Sequence, residues 1–144
     1  MEIVKANNYR KGVIGLLVSE KLPVVDLPAM LDNFVVMKDG KDVIGVAGLE
    51  IYGDYGLLRS LAVHPIYRGN GLAKQLLTKI ESMAAAKALS AIYLLTETAP
   101  EYFSRNGYHQ TNRTDVPAPV QQSSEFSCAC PQSAIVMKKT LIKP

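Results

Sequence analysis

LLRSLAVHPIYRGNGLAKQLL, residues Leu57–Leu77, is the stretch whose reading decides the fold. It opens as an apolar strand that runs to Val63 and stops before Pro65, which has no N–H to continue a ladder. It closes as a helix. Leu72, Leu76, Ile80 and Met83 recur at the spacing of one helical face across Asn70 to Lys87. Between strand and helix, Gly69 and Gly71 flank Asn70. Glycines there let successive backbone N–H groups turn toward one point. Such a nest at a helix N-terminus binds anions, phosphates above all. Arg68 and Lys74 stand beside it to add charge-assisted contacts. The competing reading is a glycine turn that only feeds a helix, since short glycine patterns also arise by accident. Two named phosphate loops do not fit. A Walker loop needs Gly-Lys-Ser/Thr, and a dinucleotide fingerprint needs a third glycine where Lys74 sits.

Working upstream, residues 2–6 read as a short strand and residues 9–20 as a helix with Val13, Leu16, Leu17 and Glu20 near helical spacing. Pro23 ends that helix, and a second short helix is expected over Leu27 to Leu31. Phe34 to Met37 and Asp42 to Tyr52 read as strands joined by the turn Lys38-Asp39-Gly40-Lys41. Val43, Gly45, Ala47, Leu49 and Ile51 share one face of the second strand, and Ile44, Val46, Gly48 and Glu50 the other. Apolar on both faces, it belongs inside a sheet. Alternation puts Arg59 on the face of Leu57, Leu61 and Val63. Downstream come a buried strand over 91–96, a short helix from Pro100 to Arg105 stopped by Gly107, and a brief strand over Tyr108 to Thr111. Asp115 to Ser124 reads as a loop with room for one helical turn, and Ser133 to Leu141 as the closing strand. The class is α/β around one central sheet.

With 144 residues, the chain fits one domain and can bury about two-thirds of its unfolded surface. Sixteen Lys and Arg against 13 Asp and Glu give a net charge of +3, with no basic stripe. That argues against a nucleic-acid partner and suits a small anionic ligand. No apolar run reaches a membrane span, and the N-terminus lacks a signal-peptide core. The two cysteines, Cys128 and Cys130, are too few and too close for a disulfide framework and make a poor zinc site, so no metal is expected. A reduced, cytoplasmic protein is expected. Cys130, beside Pro131, reads as a small packed residue, with a nucleophile or soft-metalloid ligand as the alternative.

At the loop the sequence resembles the GNAT superfamily of N-acetyltransferases, whose pyrophosphate motif is Gln/Arg-x-x-Gly-x-Gly/Ala after a strand ending in a Val-x-Pro-like segment. Arg68, Gly71 and Ala73 match that motif, and Leu61-Ala62-Val63-His64-Pro65 matches the preceding strand. Ala99 to Tyr108 resembles the family's later short helix and Gly-Tyr pair. The resemblance implies a single GNAT domain over residues 1–144, with a central mixed, mostly antiparallel sheet flanked by helices on both faces. It implies acetyl-CoA as co-substrate and a small-molecule amine as acceptor. The backbone of Leu61, Ala62 and Val63 would pair with the pantetheine arm, and amides of Arg68, Gly69, Asn70, Gly71, Leu72 and Ala73, with Lys74, would hold the pyrophosphate. A homodimer is compatible with it, although the sequence does not set the oligomeric state. A narrower resemblance is to an arsenic-resistance branch related to arsinothricin and phosphinothricin acetyltransferases. It rests on Gly48 to Gly53, on Leu57 to Val63, and on Ser124-Glu125-Phe126 leading to Cys130-Pro131-Gln132-Ser133-Ala134.

Two positions depart from the family pattern. Many relatives carry a glutamate base where this chain has Leu57, and a general-acid tyrosine where it has Phe103. Glu50 is then the candidate base, with an exposed strand end paired to Arg59 as the alternative. Arg59, unusual in an apolar strand, is a candidate clamp for an acceptor carboxylate or one half of a structural ion pair. Tyr102, one residue off the usual acid position, completes the catalytic candidates. Glu97 and Thr96 at the end of their strand, His64 and Glu125 are weaker candidates, expected to be exposed or turn residues. Direct acetyl transfer to an amine is the expected reaction. A non-catalytic acyl-CoA sensor and a protein or peptide acetyltransferase remain open.

Overall fold

The computed structural model describes residues 1–126 and 134–141. Among these, β1 (Glu2–Lys5), β2 (Phe34–Asp39), β3 (Asp42–Tyr52), β4 (Tyr55–Val63), β5 (Ala91–Thr96), β6 (His109–Gln110) and β7 (Ile135–Thr140) form one sheet in the order β1-β2-β3-β4-β5-β7-β6. Helices α1 (Arg10–Ser19), α2 (Leu72–Ala86), α3 (Pro100–Arg105) and α4 (Ala118–Gln121) flank it. The sheet is mixed. β1 with β2, β2 with β3, β5 with β7 and β6 with β7 run antiparallel, whereas β4 and β5 run parallel from Tyr55↔Ala91 to Leu57↔Tyr93. That parallel register ends at Leu57, while β5 continues against β7 to Thr96↔Ile135.

The chain divides into two compact units, one made of Met1–Leu49 with Ser60–Met83, the other of Glu50–Arg59 with Ala84–Pro144. In the first, Val13, Leu16 and Leu17 of α1 pack with Phe34, Val36, Val46 and Ala62. Both faces of β3 are buried from Ile44 to Leu49, as its unbroken apolar run requires. Gly45 permits a close approach: a Cβ there would stand 2.9 Å from Leu76 Cδ1 and 3.3 Å from Met37 Cβ. In the second unit, Leu57, Ala91, Tyr93, Val116, Val120, Phe126 and Val136 form the core.

Several sequence expectations change. No helix forms over Leu27 to Leu31, although both residues are buried. A single isolated turn gains too little to nucleate. Moreover, Arg10 Nη1 takes the carbonyls of Pro28 and Ala29, at 2.6 and 3.3 Å. Helix α2 starts at Leu72 rather than Asn70, because Gly71 holds φ 74. Ser60 takes φ 60 in the middle of β4. A left-handed residue breaks the pleat, so the face predicted for Leu57, Arg59, Leu61 and Val63 does not run through it. The stretch Asp115 to Ser124 carries α4, the single turn for which it had room.

Three helices end in the same hydrogen-bond pair. After α3, Tyr108 N–H reaches Phe103 O and Gly107 N–H reaches Ser104 O, with Gly107 at φ 92. After α1 the left-handed residue is Lys21, and after α2 it is Ala88, at φ 57. This is the Schellman ending, which glycine fills without a Cβ penalty. We therefore expect Ala88→Gly to stabilise the protein by about 0.5–1 kcal/mol, read as a raised denaturation midpoint at unchanged slope.

Candidate active site

The loop between Val63 and α2 combines a tight turn, two left-handed glycines and the start of a long helix. Pro65 starts a 3-10 turn over Pro65–Tyr67, and His64 Nδ1 accepts the Ile66 N–H at 3.2 Å, so His64 is a turn residue as its position before Pro65 suggested. Gly69 and Gly71 then take φ 83 and 74. Nothing lies within 4 Å of a Cβ built on either, so the space over both glycines is open. The first N–H groups of any helix have no carbonyl partner within it. Here the helical ladder begins with Gln75 N–H to Gly71 O at 3.2 Å. The Arg68 amide is already used, donating to Pro65 O at 3.3 Å, so the available cradle starts at Gly69. Leu72 is buried, Ala73 half-buried and Lys74 exposed at the start of α2. The loop's shape, its open side and the positive end of a 15-residue helix fit a pyrophosphate. In β4 behind it, Leu61 is half-buried and Ala62 and Val63 are buried.

A second polar cluster sits in the other unit. Arg59 is fully buried in its side chain and lies between two carboxylates, with Nη1 3.1 Å from Glu50 Oε2 and Nε 3.8 Å from Glu125 Oε1. Tyr52 donates its hydroxyl to the other Glu50 oxygen at 2.7 Å. A guanidinium offers five donors, and removing it from water demands acceptors in number. That requirement brings in Glu125, which the sequence suggested was a solvated loop residue but which is 7% exposed. Arg59 is thus the centre of two ion pairs, with its side chain fully buried.

The other candidates have neighbours of their own. Tyr102 lies on α3 with its ring edge-on to Phe103, 5.4 Å between centroids. Leu57 and Phe103, where relatives carry base and acid, are both buried packing residues. Thr96 Oγ1 accepts the Ala99 N–H at 3.1 Å, and Glu97 is exposed. Cys128 and Cys130 lie outside the described residues.

A family model described as an acetyltransferase (GNAT) domain matches residues 31–110. This chain belongs to the GNAT acetyltransferase family. The matched stretch makes it an acetyltransferase (GNAT) domain. The match holds the whole glycine loop, Glu50, Arg59 and Tyr102, but stops short of Glu125. The amino-acid acetyltransferase of Pseudomonas fluorescens is 30% identical over 106 residues, 72% of this chain and 24% of its own length. That of Pseudomonas putida is 31% identical over the same shares. The GNAT chain therefore spans about a quarter of these curated relatives. N-acetylglutamate synthase from Neisseria gonorrhoeae, complexed with coenzyme A and N-acetyl-glutamate, shares the fold at TM-score 0.84 and 17% identity, over 99% of this chain and 35% of that one. A Mycobacterium tuberculosis protein in complex with CoA shares it at TM-score 0.80 and 18% identity, over 99% of this chain and all of that one. No helix among the described residues is long and apolar enough to cross a membrane.

Ligand that binds only the folded state at about 100 times its dissociation constant adds about 2.7 kcal/mol of stability. Saturating acetyl-CoA should raise the melting temperature of the wild-type chain accordingly. In Gly71→Asp, which forces a side chain into φ 74 and puts a negative charge beside the phosphates, the shift should vanish.

Proposed function

We propose that this domain transfers the acetyl group of acetyl-CoA directly to the primary amine of a small, amino-acid-like acceptor. The observation that carries this reading is the open amide cradle beginning at Gly69, at the start of α2. In the proposal the amides of Gly69, Asn70, Gly71, Leu72 and Ala73, with Lys74, hold the pyrophosphate, and the backbone of Leu61 to Val63 pairs with the pantetheine arm. The acceptor nitrogen attacks the thioester carbonyl, a C–N bond forms, the C–S bond breaks and CoA leaves as thiolate. The amine must lose one proton and the thiolate gains one. Glu50 receives the amine proton, directly or through water, with Tyr52 and Arg59 fixing its carboxylate. Tyr102 is the proposed donor to the thiolate. A strand N–H near Val63 polarises the carbonyl.

The acceptor class draws support from the amino-acid acetyltransferases to which the chain is similar. A narrower form of the proposal takes an arsinothricin- or phosphinothricin-type amino acid as acceptor, in arsenic resistance. Its support is that the three sequence stretches resembling that branch meet in one cluster: Glu50 and Tyr52 from the first, Arg59 from the second, Glu125 from the third. The proposal takes residues 1–144 as one catalytic domain, in a reducing cytoplasm, with a homodimer compatible. A second reading, an acyl-CoA sensor, is favoured by one observation: Leu57 and Phe103 make the usual base and acid positions apolar. Steady release of CoA thiol on mixing acetyl-CoA with a panel of amines and amino acids establishes the enzyme. Tight CoA binding with no thiol release across the panel establishes the sensor.

Glu50→Gln should lower turnover by 10²-fold or more, on the order of what a positioned base contributes. The loss should be greatest at acidic pH, because an α-amine with a pKa near about 8 is mostly protonated there. As pH rises the acceptor deprotonates unaided, so the variant should recover relative to wild type. Arg59→Lys keeps the charge but loses the planar fork that spans two carboxylates. It should lower turnover by loosening the Glu50 carboxylate while leaving the Michaelis constant of acetyl-CoA near normal. Unchanged acceptor kinetics with lowered thermal stability in both variants would assign the cluster to folding alone.

A further inference from the structure

Nothing lies within 4 Å of a Cβ built on Gly69 or Gly71, so no packing on that side holds the loop in its left-handed turns. Side chains hold it instead. Asn70 Nδ2 donates to the carbonyls of Tyr67 and Arg68, at 3.0 and 3.4 Å. The Tyr67 hydroxyl donates to Asp39 Oδ2 at 2.7 Å, and that bond raises the phenol's pKa above its ordinary value. The Arg68 guanidinium is engaged twice: Nε donates to Val63 O at 3.3 Å, and Nη2 pairs with the Glu20 carboxylate.

Glu20 is an unusual place for that carboxylate. It caps the C-terminal end of α1, its N–H donating to the carbonyls of Leu16 and Leu17. That end of a helix is the negative end of its dipole, and an anion there is disfavoured unless a cation answers it. Arg68 supplies the cation, and the Glu20 side chain is only 14% exposed. A guanidinium held by a carboxylate and a carbonyl has its charge and two of its N–H directions committed before any phosphate arrives. The backbone it anchors is the residue immediately before Gly69.

We propose that Glu20 is a positioning residue of the acetyl-CoA site. Through Arg68 it fixes the loop in the shape that presents the amides from Gly69 onward, and Arg68 serves the loop rather than the phosphate. This rests on the assignment of the loop to the pyrophosphate. Backbone that must be ordered on binding costs affinity, and a loop already tied down avoids that cost.

The test is a double-mutant cycle on CoA affinity by calorimetry, with wild type, Glu20→Gln, Arg68→Gln and the double variant, each checked for folding by its melt without ligand. Each single change should weaken CoA about tenfold, the range for freeing one ordered side chain and its segment. The double variant should be no weaker than the worse single, because both remove one tether. In steady state the Michaelis constant of acetyl-CoA should rise by the same factor and that of the acceptor should not. With acetyl-pantetheine, a donor without the pyrophosphate, the rise should disappear. Should Glu20→Gln bind CoA as tightly as wild type or tighter, Glu20 does not position the loop. Losses that add in the double variant would make Arg68 an independent phosphate ligand and overturn the proposal. A wild type that binds no CoA refutes the cofactor assignment itself, and this inference with it.

Discussion

Two left-handed glycines govern how this chain gets from its central strand to its longest helix. Gly69 and Gly71 turn the backbone so sharply that α2 can start only at Leu72. From that start, Leu76, Leu77 and Ile80 fall on the buried side. The docking of Leu76 then depends on Gly45, whose missing Cβ lets the helix side chain approach β3. Loop geometry, helix phase and strand composition are therefore one constraint seen at three places. A change at any of them alters the direction in which the amides at the helix start are presented.

The second polar feature follows from dielectric cost rather than backbone shape. Arg59 is carried into the interior by the strand on which it sits, and a guanidinium out of water must find carboxylates. Glu50 supplies one from β3 and Glu125 the other from just after α4. Tyr52 then takes the remaining oxygen of Glu50. Charge pairing thus selects which residues gather near the Glu50 carboxylate.

Strand β5 and helix α3 were legible to the residue, because a buried apolar run and a Pro-to-Gly frame are local signals. The glycine loop was legible for the same reason: its residues are contiguous. Glu20 and Glu125 were not. Each lies far along the chain from its arginine, and nothing near Glu125 separates it from a solvated loop acid. The one clue was Arg59 itself, whose five donors exceed what Glu50 accepts. The helix expected at Leu27 failed because periodicity in five residues does not outweigh nucleation, and Arg10 claimed two of its carbonyls. The left-handed backbone at Ser60 left no mark, since serine does not announce such a conformation.

The burial of Arg59 also bears on how the sequence can drift. Loss of Arg59 alone leaves two largely buried carboxylates without their cation, a defect of about 3–5 kcal/mol. That is a large share of the roughly 5–15 kcal/mol by which a native domain is stable. Apolar residues of similar volume at all three positions together can be neutral or even stabilising. On that route the intermediates that have lost Arg59 but kept both carboxylates are the obstacle, so the arginine is the position least able to change first. Descendants of this chain are expected to keep the arginine for as long as both carboxylates stay buried, and to exchange either acid more freely than the base between them.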